Sequence, residues 1–185
     1  QIIEVSINII SKRGIQYLTM KNLSKELGIS EPAIYRHFES KQKILISVLD
    51  SFQHQNKIIH ENFRLEGETS FNHLQRSIQM IMHRLNNNPA MSAVIFSEEI
   101  FQGENELSEI VTKLMNSTTE FFTNLIALGQ KDNSIRSDVT KEDLSIIVSG
   151  SLRHIVTVWR MSGFAIDLRE SGKKLAKTLE TVIGT

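Results

Sequence analysis

The sequence predicts an all-α protein. Two prolines and nine glycines in 185 residues are too few for a fold built from many short strands. Leu, Ile, Lys, Glu, Gln and Ser recur throughout at helix-like spacing. A hydrophobic share of 40% is sufficient to build a helical core. We therefore expect about nine helices.

The first two helices are marked by their ends. The segment "IIEVSINIISKR" carries a stripe of isoleucines, ends in two basic residues and is followed by Gly14, which can adopt a left-handed exit. Thr19 precedes "MKNLSKEL", and Gly28 follows it. A hydroxyl cap, one apolar face and a glycine stop predict a second helix of about two turns.

A proline starts the third helix. In "ISEPAIYRHF", Ser30 is the expected N-cap, and Pro32 falls in the first turn, where no intrahelical hydrogen bond is lost. This helix is expected to end near Phe38. Ser40 is then the expected cap of a longer fourth helix that runs to about residue 63.

Five further helices are predicted after residue 69. Ser70 or Thr69 opens one to about Leu85, Pro89 starts the next, and a long helix follows from about Glu104 to Leu128. Thr140 with Asp143 forms a capping box for a helix to about Met161, and Asp167 with Glu170 caps the last one, to Ile183.

The second and third helices have the spacing of a helix-turn-helix. Ser24 is small enough for a close crossing, Gly28 permits the turn, and Ile34 can fill the gap between the helices. The alternative is a helical hairpin inside a bundle. It is disfavoured because it would expose a costly set of side chains, Glu31, Pro32, Tyr35, Arg36 and His37. Residues 1–46 carry seven Lys/Arg and four acidic residues, so this segment is +3 within a neutral chain.

The segment "GIQYLTMKNLSKELGISEPAIYRHFESKQKIL" closely resembles the DNA-binding domain of the TetR family of bacterial transcriptional regulators. "IRSDV" and "SGSLRHIVTVWRMSGFAIDL" resemble the C-terminal domain of one large branch of that family. The chain departs from the family at Lys21-Asn22, where a basic–acidic pair is commoner, and at Ser24, where alanine is commoner. The resemblance implies a DNA-binding domain over residues 1–46 and a ligand-binding and dimerisation domain over residues 47–185.

The predicted DNA-binding residues have two roles. Helix starts at Thr19 and Ser40, with Lys41, favour phosphate, and the resemblance assigns phosphate contacts to Tyr35 and His37. The alternatives are a Tyr35 ring packed under the first helix and a His37 helix-end cap. Glu31, Pro32, Ala33 and Arg36 are the expected base-edge readers. The full predicted set is Thr19, Ser30, Glu31, Pro32, Ala33, Tyr35, Arg36, His37, Ser40 and Lys41.

No catalytic, metal or cofactor constellation is expected. The chain has no Gly-rich phosphate loop, no Gly-x-Ser-x-Gly and no His-Glu-x-x-His. Residues 132–143 superficially resemble a calcium loop, but Arg136 would put a cation among the ligands. The absence of cysteine suits a reducing compartment, and no apolar run reaches the roughly 18 residues of a membrane span. We expect a cytoplasmic protein that is not an enzyme.

The last two helices are the expected dimer interface, since a palindromic operator needs two recognition helices about 34–36 Å apart. The residues predicted to form it are Gly150, Ser151, Ile155, Val158, Leu175 and Leu179. Gly150 and its serine neighbours have little side-chain bulk, so another helix can approach closely there. That helix can belong to the partner subunit or to the same chain.

Methionines, aromatics and a few polar groups in the second domain suggest a pocket for an unidentified small-molecule effector. The residues predicted to line it are Met80, His83, Phe96, Glu99, Met115, Phe122, His154 and Trp159. Plain core packing is the alternative for most of them. We thus expect a repressor released from its operator by a small apolar or aromatic ligand. The alternative is an architectural or partner-controlled DNA-binding protein without a small-molecule site.

Overall fold

The computed structural model describes residues 1–54, 67–96 and 106–185. Within those ranges the chain is helical, with a single isolated bridge between Ile135 and Gly184. Its helices are α1 (Ile2–Arg13), α2 (Met20–Leu27), α3 (Glu31–Tyr35), α4 (Lys41–His54), α5 (Ser70–Asn87), α6 (Pro89–Ile95), α7 (Glu106–Lys131), α8 (Lys141–Met161) and α9 (Leu168–Ile183). The predicted all-α class is confirmed, and the described residues form nine α-helices, in agreement with the expected number. None of the described helices is long and apolar enough to cross a membrane.

Several predicted helix starts are confirmed in atomic detail. The Thr19 hydroxyl accepts a hydrogen bond from the Asn22 amide at 3.1 Å, and the Thr140 hydroxyl accepts one from the Asp143 amide at 3.1 Å. Asp167 caps α9 by accepting from the Arg169 amide at 2.9 Å. These oxygens satisfy amides that have no partner within their own helices.

Thr69, one of the two residues expected to open α5, accepts a hydrogen bond from the Asn72 amide and is the cap of that helix. Other features differ from the sequence-based expectation. Helix α3 ends at Tyr35 rather than near Phe38, because the amides of both His37 and Phe38 donate to the Ile34 carbonyl in a tightened last turn. A short 3₁₀ turn at Ile15–Tyr17, which the sequence pattern did not predict, joins α1 to α2.

By its internal contacts the chain divides into two compact units. The head comprises Gln1–Asn62 and Asn88–Thr112, and the body comprises Phe63–Asn87 and Lys113–Thr185. In the head, α1 packs on α2, α4 and α6, and α2 packs on α3. Its core includes fully buried Leu23, Ile34 and Leu45. The predicted domain boundary at residues 46 and 47 remains a prediction.

In the body, α9 lies along α5 and α8. The approach of α9 to α5 is close at Gly172, where an added Cβ would lie 2.9 Å from Met82 side-chain atoms. The Gln75 side chain donates to the Ala176 carbonyl at 2.9 Å across the same helix pair. A largely buried ion pair between Glu68 and Arg76 also holds the segment before α5 to that helix.

The loop between α7 and α8 supplies side chains that accept hydrogen bonds from the first amides of α5. Asp132 accepts a hydrogen bond from the Ser70 amide at 2.8 Å, and the Ser134 hydroxyl accepts one from the Phe71 amide at 3.1 Å. Partial burial would raise the pKa of Asp132, but hydrogen bonds from Ser134 and Ser70 outweigh it and lower that pKa to about 2. This carboxylate therefore stays charged where it completes the helix start.

Candidate DNA-binding site and candidate effector site

Helix α3 presents an exposed polar face above a fully buried anchor. Ile34 is 0% exposed, whereas Tyr35 is 50% exposed. Pro32, Arg36 and His37 are also exposed, and Glu31 and Ala33 are half-buried. The exposure of Tyr35 disfavours the alternative in which its ring packs under the first helix. This arrangement leaves side chains able to reach base edges and phosphates on one short helix.

The helix starts at Thr19, Ser30 and Ser40 lie in the head, and those at Thr19 and Ser40 are the two predicted to bind phosphate. Thr19 is exposed while it caps α2, and Asn22 also donates its side-chain amide to the Tyr17 carbonyl at 2.9 Å, which fixes the turn before that helix. Ser40 accepts from the Lys43 amide at 3.3 Å at the start of α4. Ser30 makes no side-chain capping bond to α3. Lys41, the first residue of α4, is half-buried.

The predicted effector residues are distributed over both units. Phe96 belongs to the head, and Glu99 lies outside the described residues. In the body, Phe122 and Trp159 are 0% and 2% exposed, and Met80 is half-buried. His83 and His154 are exposed, so neither contributes a polar group to the body's interior. Met115 is 37% exposed and lies 3.5 Å from the Arg153 guanidinium.

A seam of small polar side chains runs between α7 and α8. The Thr123 hydroxyl donates to the Ser145 hydroxyl at 2.9 Å, and the Ser145 hydroxyl in turn donates to the Thr119 carbonyl at 3.3 Å. One turn beyond Ser145, the buried Ser149 hydroxyl has no hydrogen-bond partner. Because a buried polar atom is costly to leave unpaired, Ser149 is a candidate ligand contact. The sequence pattern had suggested only that Ser149 reduces bulk.

The body also contains two pairs of aromatic rings and two partly buried arginines. Trp159 meets Phe164 edge-on with ring centroids 4.7 Å apart, and Phe121 lies 5.6 Å from Phe122. Burial lowers the pKa of both Arg84 and Arg160. The described residues contain no group of three or more His, Asp or Glu side chains placed to hold a metal ion.

The predicted dimer residues separate into two groups. Leu175 and Leu179 are 8% and 2% exposed, and they are buried within the protomer on α9, the helix that packs on α5 and α8. This intrachain burial corrects the expectation that they face a partner subunit. Val158 is 38% exposed and Gly150 is exposed, while Ser151 and Ile155 are half-buried. Among the described residues, no atom lies within 4 Å of a Cβ added at Gly150, so no other described helix packs closely against it.

An exposed apolar face on α8 was not fully recognised in the sequence. Ile147 and Met161 are 44% and 82% exposed, and with Gly150, His154 and Val158 they recur at helical spacing along one side of α8. We call these five residues the α8 outer face. Large apolar side chains exposed in a row mark an interaction surface.

Two family models match nearly the whole chain. Residues 2–48 match the model described as bacterial regulatory proteins of the TetR family. Residues 52–182 match the model described as the C-terminal region of YsiA-like protein.

Two curated relatives are a transcriptional regulator and a nucleoid occlusion factor. The helix-turn-helix transcriptional regulator YerO of Bacillus subtilis is 23% identical over 99% of the chain, which spans 63% of the length of YerO. The nucleoid occlusion factor SlmA of Haemophilus influenzae is 27% identical over 88% of the chain and 77% of SlmA.

Solved structures share the fold. FadR from Bacillus subtilis, in complex with stearoyl-CoA, aligns with a TM-score of 0.77 at 20% identity, covering 96% of this chain and 95% of FadR. A transcriptional regulator from Saccharomonospora viridis, in complex with choline, aligns with a TM-score of 0.79 at 18% identity, covering 100% and 96%.

Proposed function

Because the chain belongs to the TetR family of bacterial transcriptional regulators, we propose that it is a repressor released from a palindromic operator by a small ligand. The observation that carries the DNA-binding part is the face of α3, where Tyr35 and Arg36 are exposed above the fully buried Ile34. A short helix is rarely held on a core by one aliphatic anchor while it exposes an arginine and an aromatic ring without a binding role.

The head residues divide between positioning and reading. Phosphate contacts from the starts of α2 and α4, at Thr19, Ser40 and Lys41, would fix the register of α3 on the duplex without reading sequence. Arg36 can donate two hydrogen bonds to guanine in the major groove, and Pro32 can lie against a thymine methyl group. Specificity would therefore depend on α3, and general affinity on the helix starts.

The body supports a mostly apolar effector that carries at least one oxygen. Buried Phe122 and Trp159 offer apolar and aromatic surface, and Ser149 offers an unpaired hydroxyl. A ligand with a carbonyl or hydroxyl group would form a hydrogen bond with Ser149. The exposed His83 and His154 do not supply such a polar contact inside the body. The stearoyl-CoA and choline complexes of FadR and the S. viridis regulator support a ligand-responsive body.

A second candidate function is an architectural or partner-controlled DNA-binding role. It is favoured by the similarity to SlmA, which is named as a nucleoid occlusion factor. In this case the body would respond to another macromolecule, and a small molecule would not change DNA affinity.

Linkage between effector and operator separates the two candidates. Trp159 is the only tryptophan and is buried in the body, so its fluorescence can report binding of stearoyl-CoA, choline or members of a metabolite library. A true effector is expected to lower operator affinity about 5- to 150-fold. Operator DNA must lower effector affinity by the same factor, because the coupling free energy is reciprocal.

The control is a random duplex of equal length, which should weaken the effector much less than operator does. A compound could bind the body tightly without changing the affinity for operator, and operator could leave the affinity for the compound unchanged. That result would reject the sensor function and favour the second candidate.

A further inference from the structure

An ion pair in the head joins two helices that are far apart in sequence. The Lys43 ammonium on α4 donates to the carboxylate of Glu106, 63 residues later at the start of α7. The hydrogen bond to Glu106 and the charge of that carboxylate raise the pKa of Lys43, with a smaller contribution from Glu39. Both side chains remain about half exposed, at 45% and 56%.

The position of this pair relates it to the proposed phosphate contacts. Lys43 lies in the first turn of α4, and its own amide donates to the capping hydroxyl of Ser40. Residues two apart on a helix are about 200° apart around its axis, so Lys43 and Lys41 extend from opposite sides of this turn. The side chain held by α7 is thus that of Lys43, whereas the proposed phosphate contact of this turn is Lys41.

The other end of the pair belongs to the longest described helix. Glu106 is the first residue of α7, which has 26 residues and continues into the body as far as Lys131. The same helix carries Phe122 and the threonines of the polar seam. Within the head, the pair thus connects the helix start proposed to bind phosphate to the start of α7.

We propose that Lys43 and Glu106 are positioning residues for DNA binding. Their ion pair fixes the first turn of α4, and with it Ser40 and Lys41, against the start of α7. Neither side chain contacts DNA. This inference rests on the proposed DNA-binding function. It excludes the opposite arrangement, in which Lys43 binds a phosphate and Glu106 competes for it.

Four variants of the full chain test the proposal: Lys43→Gln, Glu106→Gln, the double substitution, and the charge exchange Lys43→Glu with Glu106→Lys. Each single substitution should weaken operator binding about two- to five-fold, the range expected for one exposed ion pair. The double substitution should be no weaker than either single one, because both remove the same interaction. The dependence of affinity on salt should keep the parent's slope, since no phosphate contact is lost.

The charge exchange should restore affinity at least in part. Recovery should be incomplete because a lysine at the start of α7 faces the positive end of that helix. Lys173→Gln, which removes an exposed lysine paired with Glu170 on α9, is the matched control and should bind like the parent. Thermal unfolding midpoints should fall by no more than about 4 °C across the set, the shift expected for an interaction of this size, which separates positioning from loss of structure.

Two results would overturn the inference. If Lys43→Gln lowers the salt slope by about one unit while Glu106→Gln tightens binding, Lys43 is a phosphate contact. If both variants bind like the parent, the pair has no role in DNA binding. A parent protein that does not distinguish operator from random duplex would instead reject the proposed function, and this inference with it.

Discussion

Replacing Val158 with Asp is expected to convert a dimer into monomers and to lower operator affinity by about 100-fold or more. Val158 is 38% exposed on the α8 outer face. The same face includes Gly150, where no described atom lies within 4 Å of an added Cβ. An unpaired carboxylate buried between two copies of this face would be strongly unfavourable. In a dimer, binding of one recognition helix raises the effective concentration of the second one at its half-site, which increases the overall affinity. Separate monomers lose that increase.

The matched control places the same charge on a different exposed apolar residue. Leu128 on α7 is 43% exposed and is not part of the α8 outer face, so Leu128→Asp should remain dimeric and bind operator like the parent. Light scattering gives the mass in solution, and an equilibrium titration gives the affinity. If Val158→Asp also remains dimeric, the subunits associate through another surface.

Replacing Arg36 with Ala is expected to weaken operator binding by about 1–3 kcal/mol and to relax the preference at one base pair. Arg36 is exposed as the C-cap residue of α3, where a guanidinium can form two hydrogen bonds with guanine. Lys41→Ala should act differently. It should weaken binding to operator and random duplexes alike and lower the salt slope by about one unit, because one phosphate contact is lost.

Lys177→Ala is the control for the change in net charge, since Lys177 is an exposed lysine of α9. Titrations against operator and random duplexes at several salt concentrations provide both affinity and slope. If the Arg36 and Lys41 variants show the same pattern on both duplexes, base reading and phosphate contact have been assigned to the wrong residues.

Local features of the fold could be predicted because they depend on a few neighbouring residues. Thr19, Thr140 and Asp167 cap helices as expected, since a hydroxyl or carboxylate before an apolar-periodic segment meets free amides wherever the helix packs. Gly28 ends α2 as predicted, in a left-handed conformation with φ 67°. Pro32 lies in the first turn of α3, where its missing amide has no consequence.

Features that depend on distant residues could not be predicted. The stripe containing Leu175 and Leu179 was recognised as apolar, but periodicity does not say which element covers a stripe. The chain buries those leucines itself, as α9 packs on α5 and α8. The contact between Gly172 and Met82 and the pair between Lys43 and Glu106 likewise join residues that no local pattern connects.

The candidate sites show the same division. The recognition face of α3 follows from a short local pattern, and the exposure of Tyr35 and Arg36 agrees with it. The effector set was inferred from residue type on apolar helix faces. That criterion placed two surface histidines in the pocket and did not single out Ser149 as a polar contact, because which polar atoms lack partners depends on packing.

Selection of bound sequences from a random duplex library, with the unmodified protein, tests the central claim most directly. Two copies of α3 related by two-fold symmetry should enrich a palindrome whose half-site centres lie about 10–10.5 base pairs, or a multiple of a helical turn, apart. Enrichment of a single half-site, or of no sequence, would contradict the account of this chain as a dimeric, sequence-specific regulator.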